Sequence, residues 1–146
     1  MIGGMNLLIE GSEDKMYGLI GFSLSSALVA YTLFWAYKDT KITINEDGLE
    51  IHGMYGGYYP WSEIKNIEMK ETLPKIQFKI NGASLAGKLK GHFRSKELGN
   101  IKVFLDKKVT PFIYFDYKGK KIIFNLSSSV ATKLAYGSIR EKLMVK

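Results

Sequence analysis

Between Thr72 and Lys96 the sequence places Lys75, Lys79, Lys88, Lys90, Arg94 and Lys96, with no acidic residue among them. Phe78, Leu85, Leu89 and Phe93 are interleaved. Cations beside apolar side chains suit an anionic bilayer surface. There each Lys or Arg contributes about 1 kcal/mol, and rings can enter the interface. An acidic protein surface offers the same charge complementarity. The plain reading of the same residues is a solvated loop whose apolar side chains fold back onto a sheet. These six cations are the candidate anionic-surface binding residues, for anionic lipid or an acidic protein.

Catalytic chemistry finds little material. There is no cysteine, which removes thiol catalysis, disulfides and Cys-based zinc sites. The two histidines, His52 and His92, lie far apart and form no HExxH or other close ligand spacing. No Gly-x-Ser-x-Gly elbow or phosphate-binding Gly-Lys-Ser/Thr loop occurs. Glu68 and Glu71 are three apart, and on a strand they face opposite sides. The residues imply no metal or cofactor, and an enzyme is the remote alternative.

Charge narrows the class of partner. The chain has 146 residues and a net charge of +7. Residues 1–37 hold only Lys15 against Glu10, Glu13 and Asp14. Residues 38–146 hold 20 Lys and Arg against 11 acids, a balance of +9. A basic domain attracts anionic lipid, nucleic acid or acidic protein. For nucleic acid, Tyr55, Tyr58 and Tyr59 would form the stacking platform. A tether to a membrane argues against that partner.

Such a tether is visible near the start. Lys15 and Lys38 bracket 22 residues without a charge. A hydrocarbon core of about 30 Å needs roughly 20 helical residues. Tyr17 at one end, and Tyr31, Phe34, Trp35 and Tyr37 at the other, fit the aromatic belts of a span. A cleavable signal fits less well. Acidic residues precede the run, and Trp35-Ala36-Tyr37 is not a small-x-small site. A helix packed on the domain is the other reading, supported by Ser23, Ser25, Ser26 and Thr32. These hydroxyls do not gather on one face, and in a span each can bond back to its own helix. The expected organisation is a short tail over 1–15, a transmembrane helix over 16–37 and a domain over 38–146. Lys38 and Lys41 after the span, against Lys15 before it, place the domain in the cytoplasm of a single-pass cell-membrane protein.

From Lys41 the period changes to two. Ile42 and Ile44 alternate with polar residues, and Glu46-Asp47-Gly48 turns the chain. Leu49 and Ile51 then oppose Glu50 and His52. Gly56-Gly57 is the next turn. Tyr58–Trp61 is extended, and Ile64–Met69 is a strand. Residues 72–96 are expected to be a long excursion between strands. Three more strands follow, at Ile101–Leu105, Phe112–Tyr117 and Ile122–Leu126, with a turn at Lys118-Gly119-Lys120. Ser127-Ser128-Ser129 caps a last helix. Its apolar side is expected to be Val130, Leu134, Ala135, Ile139 and Leu143, and Gly137 to mark a close approach to the sheet. The expected fold class is α+β, mostly β. A bent antiparallel sheet or partly open barrel is capped by a C-terminal helix.

Gly48-Leu49-Glu50-Ile51, followed by Tyr59-Pro60-Trp61-Ser62-Glu63-Ile64-Lys65, resembles the bacterial pleckstrin-homology-like (PH-like) families. Gly91-His92-Phe93-Arg94, Phe112-Ile113-Tyr114-Phe115 and Phe124-Asn125 resemble the branch in which this domain follows transmembrane helices. The likeness covers about residues 40–143. It implies a non-catalytic binding or scaffolding module. Eukaryotic pleckstrin-homology domains often hold inositol phosphates with basic residues around the first hairpin turn. Here Asn45-Glu46-Asp47-Gly48 is acidic, so that pocket is not expected. The alternative is a homo-oligomerisation module assembling through strand edges or an exposed patch of Met54, Tyr55, Tyr58 and Tyr59.

Overall fold

The structure, a computed structural model, describes the backbone of residues 2–145 and the side chains of 15–34 and 37–145. The chain divides into two compact units, residues 1–34 and 35–146.

A single helix, α1 (Ile2–Tyr37), occupies the first unit and ends just inside the second. It is longer than the sequence suggests, because the expected tail over 1–15 is helical from Ile2. No proline interrupts those residues, and extending an existing helix costs far less than nucleating one. Leu7, Leu8 and Ile9, and the side chain of Trp35, lie outside the described side chains. The window Lys15–Phe34 has a mean hydropathy of 1.5 and none of it is buried. Among the described residues it is the one helix long and apolar enough to cross a membrane. The Thr32 hydroxyl donates to the Leu28 carbonyl at 2.9 Å, so the helix backbone satisfies it.

The second unit holds two open sheets and a helix. Strands β1 (Ile42–Ile44), β2 (Gly48–Ile51) and β3 (Gly57–Pro60) form an antiparallel three-stranded sheet in that order. A short 3₁₀ turn, Trp61–Glu63, leads out of it. Trp61 is buried, and its indole N–H donates to the Asn45 carbonyl at 3.0 Å, the partner a buried indole requires.

The larger sheet contains β4 (Ile64–Lys70), β5 (Ile76–Leu85), β6 (Lys88–Ser95), β7 (Gly99–Asp106), β8 (Phe112–Tyr117) and β9 (Lys120–Phe124). Their spatial order is β4-β8-β9-β7-β6-β5. The pairing of β7 with β9 is parallel, which corrects the all-antiparallel expectation. Inward and outward alternation is the same for both pairings, so the pattern of Ile101–Leu105 and Ile122–Phe124 could not separate them.

The excursion expected over 72–96 is a hairpin built from β5 and β6. The glycines that suggested a loop serve the hairpin. Ala86-Gly87 is a two-residue turn with φ of 51° and 86°, the backbone of a type I′ connection. Gly91 pairs with Gly82 at φ 115°, and a Cβ on it would come within 2.6 Å of the Asn81 carbonyl oxygen.

Both faces of the six-stranded sheet are buried along its central strands β7, β8 and β9. Ile113, Phe115, Ile122, Phe124 and Phe104 join Leu49, Ile51, Tyr59 and Trp61 in one core. Phe112, Tyr114, Ile123, Ile101, Val103 and Leu105 join Leu89 and Phe93 in the other. Alternate residues of a strand point to opposite faces, so β7, β8 and β9 feed both cores.

The last helix, α2 (Ser129–Met144), starts where the serines predict. The Ser128 hydroxyl accepts from the Ala131 N–H at 3.1 Å. Its buried residues are Thr132, Ala135 and Ile139, with Leu143 packed alongside. Val130 and Leu134 are exposed, which corrects the expected stripe. Thr132 takes the central place because its hydroxyl accepts from the Leu126 N–H and donates to the Ser128 carbonyl. Gly137 meets open space rather than the sheet.

Candidate functional site

The six cations of the hairpin do not form one surface. Lys75 lies just before β5, Lys79 within it, and Arg94 and Lys96 at the far end of β6. All four are exposed. Lys88 and Lys90 sit at the other end of β6 and work within the fold. The Lys88 ammonium donates to the Tyr37 carbonyl at 2.6 Å and to the Asp39 carboxylate at 2.8 Å, and lies 4.2 Å from the centre of the Tyr37 ring. Lys90 is only 4% exposed and donates to the Lys38 carbonyl. Burial, with Lys88 close by, holds its pKa below the usual lysine value. Two of the six expected surface cations are therefore a clasp on residues 37–39. Six residues of strand separate Lys88 from Arg94, roughly 20 Å at about 3.3 Å per residue.

The expected tyrosine patch also divides. Tyr58 is exposed and Met54 half-buried. Tyr55 is half-buried, with its hydroxyl donating to Asn81 at 3.0 Å and its ring edge-on to His92. Tyr59 is 3% exposed and packs edge-on against Phe115 and Tyr117, so it belongs to the core. Alternation explains this, because Tyr59 pairs with the core residue Leu49 across β2 and β3.

A different set of residues builds a strongly basic hollow. A cavity of about 250 Å³ is lined by Tyr59, His92, Lys102, Tyr117, Lys118, Lys120 and Ile122. Three lysines enter it and no carboxylate does. Five strands and a turn supply these side chains, with Tyr59 coming from β3. His92 of β6 faces Lys102 of β7, which lies beside Ile122 of β9. Tyr117 pairs with Lys120 across β8 and β9. Lys118 occupies the first position of the two-residue turn between them, at φ 48°. That left-handed backbone costs a lysine roughly 1–2 kcal/mol, where glycine or asparagine is the usual occupant.

Electrostatics in the cavity are uniformly positive. The Lys120 ammonium lies 3.4 Å from His92 Nδ1. Burial, then Lys120 and Lys102, hold the His92 pKa below its ordinary value. Burial, then Lys120, lower that of Lys102. Burial, then the Tyr117 phenol, push the Tyr59 hydroxyl up to about 12, so it stays a donor at neutral pH. Among the described residues that hydroxyl is buried with no hydrogen-bond partner. A neighbouring hollow of about 280 Å³ shares Lys118 but also contains Glu63 and Asp116, so its charge is mixed.

The sequence held a signal for this cavity that alternation alone could have exposed. Lys102 occupies the same face as the core residue Phe104, where an ammonium is out of place. What it could not expose is the parallel placement of β7 beside β9, which brings Lys102 toward Lys120.

No group of histidines and carboxylates that could hold a metal ion occurs among the described residues. Compared with known proteins, the chain matches no family model, no curated protein and no solved structure.

Proposed function

We propose that this chain is a non-catalytic membrane-anchored binding module. In this reading α1 crosses the membrane once, and the C-terminal unit is a PH-like domain on the cytoplasmic side. One observation carries it: the apolar window Lys15–Phe34 has no buried residue within the chain, so its side chains require an apolar surrounding from elsewhere. Lys38 and Lys41 against Lys15 support the orientation. The exposed Lys75, Lys79, Arg94 and Lys96 are the contacts for anionic lipid or an acidic protein surface. Lys88 and Lys90 leave that role, because they hold residues 37–39.

The test uses the absence of native cysteine. Ser138 is exposed on α2, and Ser138→Cys gives a single reporter thiol. The full chain is expected to stay in membranes through an alkaline carbonate wash and to keep its N-terminal residues by mass spectrometry. An impermeant maleimide is expected to label it only after the cells are permeabilised. Extraction by carbonate, or loss of the N-terminal segment, removes the anchor. Labelling of intact cells reverses the orientation.

A second reading, a homo-oligomerisation module, is favoured by β5. It is an edge strand of ten residues, with Phe78 55% and Ile80 50% exposed. Such an edge can pair with a second copy, although Lys79 between them opposes this. Light scattering in detergent distinguishes the readings. A dimer mass that Ile80→Lys reduces to the monomer supports assembly, and a monomer at all concentrations removes it.

A further inference from the structure

We propose that the cavity between β6, β7 and the β8–β9 turn binds a small phosphate monoester, seated by Lys102, Lys118 and Lys120 with the Tyr59 hydroxyl as a fourth donor. This does not rest on the membrane reading.

The first argument is charge. Three lysines line a hollow of about 250 Å³ with no carboxylate among the lining residues. Like charges held this close repel, and a dianion relieves all of them at once. Lysine suits phosphate as a mobile point charge with three donors. Burial first, and the neighbouring lysines second, lower the pKa values of Lys102 and His92, the direction expected of a partly buried basic lining.

The second argument is independent of charge. Tyr59 lines the cavity, and its buried hydroxyl has no hydrogen-bond partner among the described residues. A buried polar group without a partner is destabilising, and native structures rarely keep one without a use. A phosphate oxygen would accept from it. The third is shape. Ile122 and the Tyr117 ring leave an apolar wall beside the cations. A compact anion carrying a small apolar or flat body fits this lining better than a naked inorganic ion.

The same monoester chemistry has two sources, a soluble ester or a lipid whose headgroup is a phosphate monoester. The probe for the site is phenyl phosphate, titrated calorimetrically into the full chain in a neutral detergent. Saturable binding with one site per chain is expected, stronger than for inorganic phosphate. Lys120→Gln should weaken it about tenfold, near 1.4 kcal/mol. Tyr59→Phe should weaken it by a similar factor and raise the melting temperature of the ligand-free protein. This opposite pair of effects keeps the test clear of misfolding. Lys133→Gln, exposed on α2 and outside the cavity, should leave binding unchanged.

Absence of saturable binding to the folded wild type overturns the proposal. So does binding that Lys120→Gln and Tyr59→Phe leave intact, and so does weakening by Lys133→Gln as large as that by Lys120→Gln. The source follows from repeating the titration in nanodiscs. Phosphatidic acid that displaces phenyl phosphate, where phosphatidylserine does not, supports the proposal with a lipid headgroup as ligand. No displacement by either lipid supports it with a soluble ester.

Discussion

The ammonium of Lys88 bridges the Tyr37 carbonyl oxygen, at 2.6 Å, and the Asp39 carboxylate, at 2.8 Å. Lys90, two residues on and nearly inaccessible to solvent, donates to the Lys38 carbonyl between them. Three consecutive residues are thus held by one strand. A hydrogen bond from a charged donor contributes about 1.5–3 kcal/mol. Exposed loops with few such bonds open easily and are cleaved there.

Loss of the clasp should expose the chain before β1. Lys88→Met with Lys90→Met is expected to speed proteolytic cleavage between Lys38 and Lys41 several-fold. The domain should lose about 2 kcal/mol. Limited proteolysis read by mass spectrometry, with urea denaturation alongside, checks both parts. Unchanged cleavage removes the clasp.

Asn125 is 1% exposed and makes three hydrogen bonds: it accepts from the Asp106 N–H and donates to the Asp106 and Val109 carbonyls. It ties the connection after β7 to the end of β9. Asn125→Ala strands buried backbone groups at about 1–3 kcal/mol each. A loss of at least about 2 kcal/mol is expected in urea denaturation, without a change in the slope of the transition.

Gly91→Ala tests the hairpin. Its φ of 115° is open only to glycine, and the added methyl would meet the Asn81 carbonyl oxygen and the Gly82 Cα. Strain of this kind costs about 1–3 kcal/mol. Hydrogen exchange should quicken along β5 and β6 more than along β8. Uniform exchange rates would count against it.

His92 gives a pH dependence with a definite sign. Around it stand Lys102, Lys118 and Lys120, and the rings of Tyr55, Tyr59 and Tyr117. Burial, then Lys120 and Lys102, lower its folded pKa below 6.5. The unfolded chain then binds more protons just below that value. Stability from His92 is fully present above pH 6.5 and declines as pH falls toward the folded pKa. Thermal melts from pH 7.5 down should show a decline that His92→Gln reduces. An identical profile in the variant would assign the decline elsewhere.

Exposed cations on the hairpin predict a lipid footprint. In nanodiscs containing phosphatidylserine, exchange should slow at residues 75–79 and 94–96 relative to phosphatidylcholine alone. The difference should vanish at high salt, as screening requires. Slowing confined to other segments would remove these residues from the contact.

Much of this architecture was legible because alternation is a strong signal. Ile42 and Ile44, Leu49 and Ile51, and Phe112–Tyr117 lie in the strands expected of them, and Ser128 caps α2. Gly82, Gly87 and Gly91 hid the β5–β6 hairpin, since positive-φ turns and close strand crossings use the residue that loops use. Val130 and Leu134 misled by type, because a hydroxyl at Thr132 had two backbone groups to satisfy. Lys88 and Lys90 belong to a run of charge in the sequence and to a clasp in the fold. Their partners are backbone carbonyls about 50 residues earlier, which no composition shows. The basic cavity draws on five strands from both sheets, and only the tertiary fold brings them together.

That order also has a consequence for how the chain is made. β9 lies between β7 and β8, so the strand supplied last fills a central position. Ile122, Ile123 and Phe124 are each at most 1% exposed and reach both cores. Until residue 124 has left the ribosome, β7 and β8 each present a bare inner edge with nothing to zip onto. An early stop before Lys120 would therefore leave two open half-sheets rather than a smaller domain, and chaperone capture of the nascent chain should persist until β9 slots in.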